Sequence, residues 1–376
     1  MAPFLGERLR HSDQRSSTNK SADVKPSPAS WTSADFANEL AYTYTLSDIE
    51  ITEINDALAY FTAAGFGIDE VKPRTFSLPT LGEKLRDFAI ELHEGKGFFV
   101  IRGLEPDKYT IKENTVIFLG ISCHVGGILG KQTDDGKMFG HVCNPDDMNT
   151  PQENRPLKYS NRASKFHNDI YCDIIALQSR SGAETGGNHL LASALRIYAE
   201  LQTTKPELTS ALLQPNWPLD LRRRISSTET RPLFFHHDGH LISSVLPDAL
   251  FESPGVKRQE GLPSLTPIQI KALNAIQTIS QKHCISLPML KGDLLYVNNF
   301  SLLHAREAFA DNEVNKRYLL RLWLKNEEMA WKLPGVLKRG NEDLHSPNVG
   351  GEEEKRDWNI IPEPGFRFWV YERQTP

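Results

Sequence analysis

The stretch Phe166-His167-Asn168-Asp169-Ile170 places a histidine and a carboxylate two residues apart inside an apolar segment. In an extended backbone, residues i and i+2 project to the same face. His167 and Asp169 can therefore contact one metal ion together, while Asn168 points away. A His-x-Asp triplet alone is weak evidence, because such triplets also arise by chance. Two ligands leave a site incomplete, so a third must come from elsewhere in the chain.

A second triplet, His236-His237-Asp238, competes with the first one. Here Asp238-Gly239 separates two apolar half-strands, which is typical of a tight hairpin turn. An aspartate in such a turn normally hydrogen-bonds to its own backbone. The setting therefore predicts a structural role for this triplet.

The candidate for the third ligand is His304, which follows a glycine turn and an apolar strand pattern that begins at Asp293. Two histidines and one carboxylate on one face of a metal leave three coordination positions open, and this arrangement suits Fe(II) chemistry. Asn299 and Ser301, just upstream, are predicted to orient the distal histidine.

Two arginines, Arg317 and Arg321, lie in the apolar stretch RYLLRLWL. Their positions differ by an even number, so both side chains face the same way in a strand. Burying an unpaired guanidinium is costly, and a bidentate carboxylate offsets that cost. The partner is either a protein Asp or Glu or a bound ligand. Two same-face arginines favour small-molecule carboxylates.

The composition excludes several classes of protein. Of the 376 residues, 39% are hydrophobic and 24% are charged, which is normal for a globular protein. A net charge of -5 provides no basic field for nucleic acid or anionic lipid. No apolar run approaches the roughly 20 residues that span a bilayer. The 4 scattered cysteines indicate a reduced intracellular compartment, and we expect a cytoplasmic protein.

The order of local patterns predicts the fold class. Helices are predicted from a cap at Ser47 or Asp48 to Gly65, and at 80–93, 111–120, 193–203, 206–213 and 266–282. Strands are predicted at 97–103, 166–177, 189–192, 233–237, 240–244, 293–297 and 318–324. Helices first and then many short strands predict an α+β fold with a mostly β core. We expect a sandwich or a jelly roll (double-stranded β-helix, cupin-like) with flanking helices.

The two ends of the chain differ from its middle in composition. Residues 1–30 are polar and poor in large apolar groups, which predicts a disordered leader. Residues 31–376 are predicted to form a single domain. Within it, the charged segment 326–376, which ends in an aromatic run, is expected to wrap on the core as a tail over the mouth of a site.

Taken together, these motifs resemble the TauD/TfdA group of iron(II)/2-oxoglutarate-dependent oxygenases, in its fungal, clavaminate-synthase-like branch. That group has a His-x-Asp/Glu pair, a distal His and a following Arg, and His167, Asp169, His304 and Arg317 occupy these places in order. The flanking segments are similar too: GFFVIRGL, IFLGIS, the paired glycines before LLASALRIYAEL, KGDLLYVNN and LLRLWL. The resemblance covers roughly residues 30 to 330.

The resemblance implies Fe(II) as the metal, with 2-oxoglutarate and O2 as cosubstrates. The distal carboxylate of 2-oxoglutarate would pair with Arg317. Many members carry a Thr shortly after the paired glycines, where its hydroxyl helps to hold the cosubstrate. This chain reads Gly187-Asn188-His189 at that point, so His189 or Ser193 would supply the hydrogen bond.

Substrate-binding candidates are Arg321, Lys131 and Gln132. Arg321 can pair with a substrate carboxylate or else support its neighbours, and the other two lie in a long loop where such enzymes often contact substrate. The implied reaction abstracts hydrogen from an unactivated C–H bond of a small amino-acid-like or carboxylated metabolite. Hydroxylation, desaturation and oxidative cyclisation all remain open, and secondary metabolism is the expected setting.

Two other readings of the same residues stand beside this one. A catalytically silent jelly-roll binding protein would not need all three ligand types and Arg317. A cupin-like metalloenzyme of other chemistry would not need a cosubstrate anchor. We expect a small-molecule substrate and neither nucleic acid nor membrane as partner. Dimers are common in this fold, so a homodimer is one expected state.

Overall fold

The computed structural model of the chain describes residues 27–133, 135–145, 150–221, 228–252, 257–346, 348–349, 352–353 and 356–362. Most of the predicted leader, residues 1–26, and the aromatic run at 366–371 lie outside these residues. The described α-helices are α1 (Asp48–Ala63), α2 (Leu81–Glu94), α3 (Ile111–Ser122), α4 (Ala194–Thr204), α5 (Pro206–Leu212), α6 (Pro267–His283) and α7 (Gly335–His345). None of these helices combines the length and apolar character needed to cross a membrane.

Within the described residues, the strands are mostly short and fall into six sheets. They are β1 (Thr43–Thr45), β2 (Phe98–Arg102), β3 (Ile128–Gly130), β4 (Gly140–Cys143), β5 (Ser164–His167), β6 (Ile174–Ser181), β7 (Thr185–Gly186), β8 (His189–Ser193), β9 (Trp217–Asp220), β10 (Thr228–Arg231), β11 (Phe234–His237), β12 (His240–Ser243), β13 (Ile285–Leu287), β14 (Leu294–Asn298), β15 (Leu302–Arg306), β16 (Phe309–Ala310), β17 (Tyr318–Lys325), β18 (Asn348–Val349) and β19 (Glu352–Glu353).

Two of these sheets form the centre of the fold. The larger is 7-stranded, in the order β1-β2-β14-β6-β17-β3, with β4 also paired to β17. The smaller is 4-stranded, in the order β13-β8-β15-β5. Pairing is antiparallel in both sheets except between β1 and β2. The predicted α+β jelly-roll architecture with flanking helices is confirmed.

Side-chain alternation along β17 explains how the large sheet is buried on both faces. Leu319 and Trp323 pack into the hydrophobic cluster shared with the small sheet. Leu320, Leu322 and Leu324 pack into a second cluster with the helices α1 to α3. The first cluster therefore lies between the two sheets, where the face of β17 that carries Arg321 also points.

Local chemistry sets the start and end of the first helix. The Ser47 side chain accepts a hydrogen bond from the Glu50 N–H, and Glu50 accepts one from the Ser47 N–H at 2.8 Å. This reciprocal capping box begins α1 at Asp48. Gly65, with φ 72, follows the helix in the left-handed region that favours glycine. The predicted helix and its cap are confirmed.

The predicted strand over residues 166–177 is wrong in one respect. The chain is in β5 as far as His167, leaves the small sheet, and enters the large sheet at Ile174 as β6. The six residues between them are irregular, and Tyr171 has a positive φ of 56°. Asp169 therefore lies in a crossover between two sheets. It does not lie in an extended strand.

Part of the predicted tail forms α7, which packs beside this crossover. Asn341 donates one side-chain hydrogen bond to the Asp173 carboxylate and another, at 2.7 Å, to the Tyr171 carbonyl. Lys325 donates to the Asn341 side chain at 2.6 Å. The Lys131 N–H donates to the Leu344 carbonyl at 3.0 Å. These contacts attach α7 to the crossover, to the end of β17 and to the loop after β3.

Asp173 gives a pH-dependent test of this packing. Burial raises its pKa from 3.8 to about 6, so the folded state carries a costly buried charge at neutral pH but not below pH 4. We expect Asp173→Asn to raise the free energy of unfolding at pH 7 by up to about 3 kcal/mol relative to wild type. The difference should fall to roughly 0.5 kcal/mol at pH 4, which is close to the unfolded-state pKa, as measured by chemical denaturation at both pH values.

Asp293 is the matched control, because its carboxylate is equally buried but paired with Arg102 at 2.9 Å. Asp293→Asn should lower stability at pH 7. A destabilised Asp173→Asn protein at pH 7 would contradict the prediction.

Candidate metal centre

Three side chains from two strands and the crossover converge on one point. His167 at the end of β5 lies opposite His304 of β15, and their ring centroids are 4.2 Å apart. The His304 Nε2 lies 3.9 Å from Oδ1 of Asp169. One ligand atom from each of the three residues lies within 4.8 Å of the others. In the described part of the chain, this is the only cluster of at least 3 His, Cys, Asp or Glu residues that could hold a metal ion.

The imidazole of His167 is oriented by its own strand. Its Nδ1 lies 2.7 Å from the Lys165 carbonyl oxygen. Because a carbonyl can only accept, Nδ1 carries the proton and Nε2 keeps its lone pair. A hydrogen bond of this kind fixes both the tautomer and the ring direction of a metal-binding histidine.

Asp169 presents one oxygen to the cluster because its other oxygen is occupied. Oδ2 accepts hydrogen bonds from the Arg321 guanidinium at 2.9 Å and from the Trp323 indole N–H at 2.8 Å. Both donors come from β17 of the large sheet. Oδ1 therefore faces the two histidines as a single-oxygen ligand. Trp323 was not among the predicted site residues, although its even spacing from Arg321 places both on one face of the strand.

Amide side chains fix the backbone of the crossover. The Asn299 side chain accepts from the Asp169 N–H at 2.7 Å and donates to the carbonyls of Asp169 and Cys172. Asn168 points away from the cluster, as predicted, and donates to the Leu302 carbonyl at 3.0 Å. The expected role for Asn299, orienting His304, is therefore replaced by a role in holding Asp169.

The donor set suits the proposed metal. Two imidazoles and one carboxylate on one side leave the opposite side for other ligands, which is the pattern of non-haem Fe(II) oxygenases.

The competing triplet forms the predicted hairpin, in which His237 pairs with His240 and the turn residues Asp238 and Gly239 have positive φ. His236 hydrogen-bonds to the Tyr198 hydroxyl at 2.8 Å. The structural role predicted for that triplet is confirmed.

Arg317 is a buried cation with one open donor. It is 4% exposed, its Nε donates to the Gly187 carbonyl at 3.0 Å, and its Nη1 has no hydrogen-bond partner in the described structure. Burial, with Arg306 nearby, lowers the pKa of Arg317 to about 9. Such a group is stabilised by a bound carboxylate. The distal carboxylate of 2-oxoglutarate fits this requirement.

Glycine is needed beside this arginine. Gly187 has φ +78, and a Cβ there would lie 2.8 Å from the Arg317 Nε. Any larger residue would therefore displace the guanidinium.

His189 lies next to Arg317, whereas Ser193 does not contribute to the site. The His189 Nε2 is 3.4 Å from an Arg317 nitrogen. Burial and the Arg317 charge lower the pKa of His189 well below 6.5, so the ring is neutral. The Ser193 hydroxyl instead accepts from the Arg196 N–H as the cap of α4 and donates to the Ala29 carbonyl. The alternative assignment of Ser193 to the cosubstrate is therefore corrected.

A cavity of about 1400 Å³ lies beside the metal cluster and reaches His189, the neighbour of Arg317. Its lining includes the three clustered residues and His189, together with all three substrate candidates, Lys131, Gln132 and Arg321. Arg321 donates to the Gln132 side-chain oxygen at 2.9 Å as well as to Asp169. The structure thus shows the alternative role of Arg321, in which it supports neighbouring side chains. Helix α7 also contributes to the lining.

Comparison with known proteins gives a consistent result. A family model described as taurine catabolism dioxygenase TauD, TfdA family matches residues 57–323. The taurine hydroxylase-like protein SAT17 of Stachybotrys chartarum is 35% identical over 344 residues, which is 89% of this chain and 88% of that protein. The FR-33289 synthase of Streptomyces rubellomurinus is 23% identical over 305 residues, 79% of this chain and 89% of that protein.

Solved structures share the fold at low identity. An asparagine oxygenase, in complex with Fe(II), a hydroxyasparagine and succinate, has a TM-score of 0.61 and 16% identity, covering 76% of this chain and 93% of that one. The non-heme iron oxygenase OrfP, with Fe and alpha-ketoglutaric acid, has a TM-score of 0.58 and 17% identity, covering 76% and 94%. At these low identities, the similarity to the solved structures shows a shared fold.

Substitution of the histidines distinguishes the two triplets. We expect His167→Ala to weaken Fe(II) binding by more than about 100-fold, since even an outer-shell residue typically contributes about 10–100-fold. His236→Ala, the matched control, should leave Fe(II) affinity unchanged. Anaerobic calorimetric titration with Fe(II) measures both. The opposite ranking would assign the metal to the other triplet.

Trp323→Phe tests whether the indole N–H positions Asp169. The ring packing is retained but Oδ2 loses a donor, so Fe(II) affinity should fall by about 10–100-fold. Trp217→Phe is the control, because that buried indole donates to the Ala211 carbonyl, a partner outside the cluster. Equal Fe(II) affinities for the two variants would show that the indole has no such role.

Proposed function

The chain belongs to the TauD/TfdA family of dioxygenases, and on that premise we propose that it abstracts hydrogen from an unactivated C–H bond of a small amino-acid-like or carboxylated metabolite in secondary metabolism. The observation that carries the proposal is the cluster of His167, Asp169 and His304 in one cavity, whose wall also includes His189, the residue in contact with the buried Arg317. When bound, Fe(II), 2-oxoglutarate and O2 supply the chemistry, in which 2-oxoglutarate is converted to succinate and CO2 while the substrate is oxidised.

The protein holds the metal through three oriented atoms. His167 offers Nε2 because its Nδ1–H is bonded to the backbone. Asp169 offers Oδ1 because Oδ2 is held from β17. With His304 these atoms would hold Fe(II), and the cavity that all three residues line has room for a cosubstrate and a substrate.

Arg317 anchors the cosubstrate in this proposal. Its open Nη1–H would donate to the distal carboxylate of 2-oxoglutarate, and the new ion pair would compensate a guanidinium that the fold has already buried. His189 remains neutral beside it and adds no second charge. Its other ring nitrogen is then available for a hydrogen bond of the kind that a Thr supplies in other family members.

The substrate class follows from charge at the cavity wall. Arg321 and Lys131 place cationic groups there, and Gln132 adds an amide. The Gln132 Nε2 has no hydrogen-bond partner in the described residues, so it is open to a ligand. These groups suit a substrate carboxylate. The amino-acid products bound by the asparagine oxygenase and by OrfP support the same class.

The proposal is tested by substrate-dependent turnover. Purified protein with Fe(II), 2-oxoglutarate and O2 should form succinate faster when the correct amino-acid-like substrate is added, with a matching oxidised product by mass spectrometry. A panel of amino acids and related carboxylates is the starting set. Succinate formation that no panel member stimulates would count against the substrate class. Absence of any succinate would count against the whole proposal. The cytoplasmic location and the homodimer stay predictions.

Arg317→Ala should raise the dissociation constant for 2-oxoglutarate by roughly 30-fold or more, because truncating one partner of a buried charge pair costs about 2–5 kcal/mol. Fe(II) affinity should change little, since Arg317 does not touch the metal ligands. Titration of the Fe(II)-loaded variant with 2-oxoglutarate gives the constant. An unchanged value would remove Arg317 as the anchor.

A further inference from the structure

Glu229 of β10 is an unusual member of the cavity wall. The other acidic residues that line the cavity in the described structure are Asp169, which belongs to the metal centre, and the exposed Glu153, Asp248 and Asp343. The Glu229 side chain is only 22% exposed. It is therefore a partly buried carboxylate that the proposed chemistry does not use.

Two neighbours hold this carboxylate in one place. Oε2 accepts from Nε of Arg231 at 2.9 Å, and Arg231 is 1% exposed. Oε1 accepts from the Tyr171 hydroxyl. A carboxylate has about four acceptor positions, so these two partners leave others free on the side that lines the cavity. Arg231 in turn requires this carboxylate, because a buried guanidinium needs a negative partner.

Tyr171 connects Glu229 to the metal centre. It follows Asp169 by two residues, so their Cα atoms are at most about 7 Å apart. Its φ of 56° is strained for an aromatic residue. On the other side, the ring packs against Gly340 of α7, where a Cβ would lie 2.4 Å from a ring carbon. Strained residues held this firmly are concentrated at functional sites.

The positive charge on the cavity wall around Glu229 makes this carboxylate the favoured place for a cationic group of a ligand. Arginines and lysines dominate the rest of the charged lining, with Arg306 and Arg321 among them. Those groups attract carboxylates, whereas Glu229 repels them. A ligand that carries a positive group as well as a negative one is therefore favoured in the orientation that places its cation at Glu229 and its anion at the arginines and lysines.

We propose that Glu229, positioned by Tyr171 and Arg231, binds a protonated amine of the substrate and so determines specificity. The carboxylate end of the same molecule lies toward Arg321. This inference rests on the proposed function, because it assigns the two ends of a substrate that is oxidised in this cavity. The substrate is then an amine-bearing acid, in which the C–H bond to be oxidised lies between or beside these two charged ends.

The test compares ligands that differ only in the amine. Wild-type enzyme loaded anaerobically with Fe(II) and 2-oxoglutarate is titrated calorimetrically with the common L-amino acids and with the matching 2-hydroxy acids, and lysine is also paired with its ε-hydroxyl analogue. We expect at least one amine to bind tenfold or more tightly than its hydroxyl partner. Glu229→Gln should abolish that preference. Equal binding within every pair, no binding by any probe, or a preference that survives Glu229→Gln would overturn the proposal.

Control variants separate the charge of Glu229 from its structural role. Glu153→Gln removes an exposed acid from the same cavity and should keep the preference. Glu229→Gln leaves Arg231 unpaired, so the double variant Glu229→Gln/Arg231→Met removes both charges and should lose the preference while remaining folded. An amine preference retained by the folded double variant would overturn the proposal.

Binding of 2-oxoglutarate to the wild-type enzyme tests the proposed function separately. If it fails, the cosubstrate assignment is wrong. If it succeeds and no amine preference is found, only the role of Glu229 is wrong.

Discussion

The hydrogen bonds that β17 donates to Asp169 are the constraint on which the rest of the site depends. Arg321 and Trp323 hold one carboxylate oxygen from the large sheet, while His167 and His304 approach the other from the small sheet. The metal centre is therefore built across the interface between the two sheets. A single-oxygen ligand in this position leaves coordination positions open, and open positions distinguish a catalytic metal from a structural one.

The same region contains more buried positive charge than its own carboxylates neutralise. Arg317 has an open donor, and burial lowers the pKa of both Arg317 and Arg306. A protein selected only for stability would gain from replacing such groups with apolar residues. Their presence is understandable if an anionic cosubstrate completes the site. By contrast, the charge of Arg231 is compensated within the protein by Glu229. This pair places a carboxylate on the cavity wall without changing the net charge of the region.

Sequence patterns predicted the parts of the molecule that local chemistry determines. The capping box of α1 and the hairpin at Asp238-Gly239 follow from short-range signals. The separate strand β15, which carries His304 in the small sheet, was not among the predicted strands. The crossover between His167 and Ile174 was not predicted, because its residues continue an apolar strand pattern from Phe166 to Leu177 and are buried like the strands on either side. Apolar content does not show where a chain leaves one sheet for another.

Tertiary contacts determine the remaining features of the site. Such contacts cannot be predicted from the local sequence pattern of one segment. Ser193 has the residue type expected at a cosubstrate site, but its hydroxyl is used as a helix cap. The donation from Trp323 to Asp169 and the packing of α7 on Tyr171 join residues more than a hundred positions apart. Glu229 lies in a short strand of no distinctive pattern, and only the cavity reveals its position.

The most direct test of the account is anaerobic titration of the purified protein with Fe(II) and 2-oxoglutarate, followed by visible absorption. Chelation of the metal by the 1-carboxylate and 2-oxo group should give a weak charge-transfer band that requires both additions. This band should form at one equivalent of each. Absence of the band in protein that is confirmed to hold iron at His167, Asp169 and His304 would show that 2-oxoglutarate does not chelate the metal.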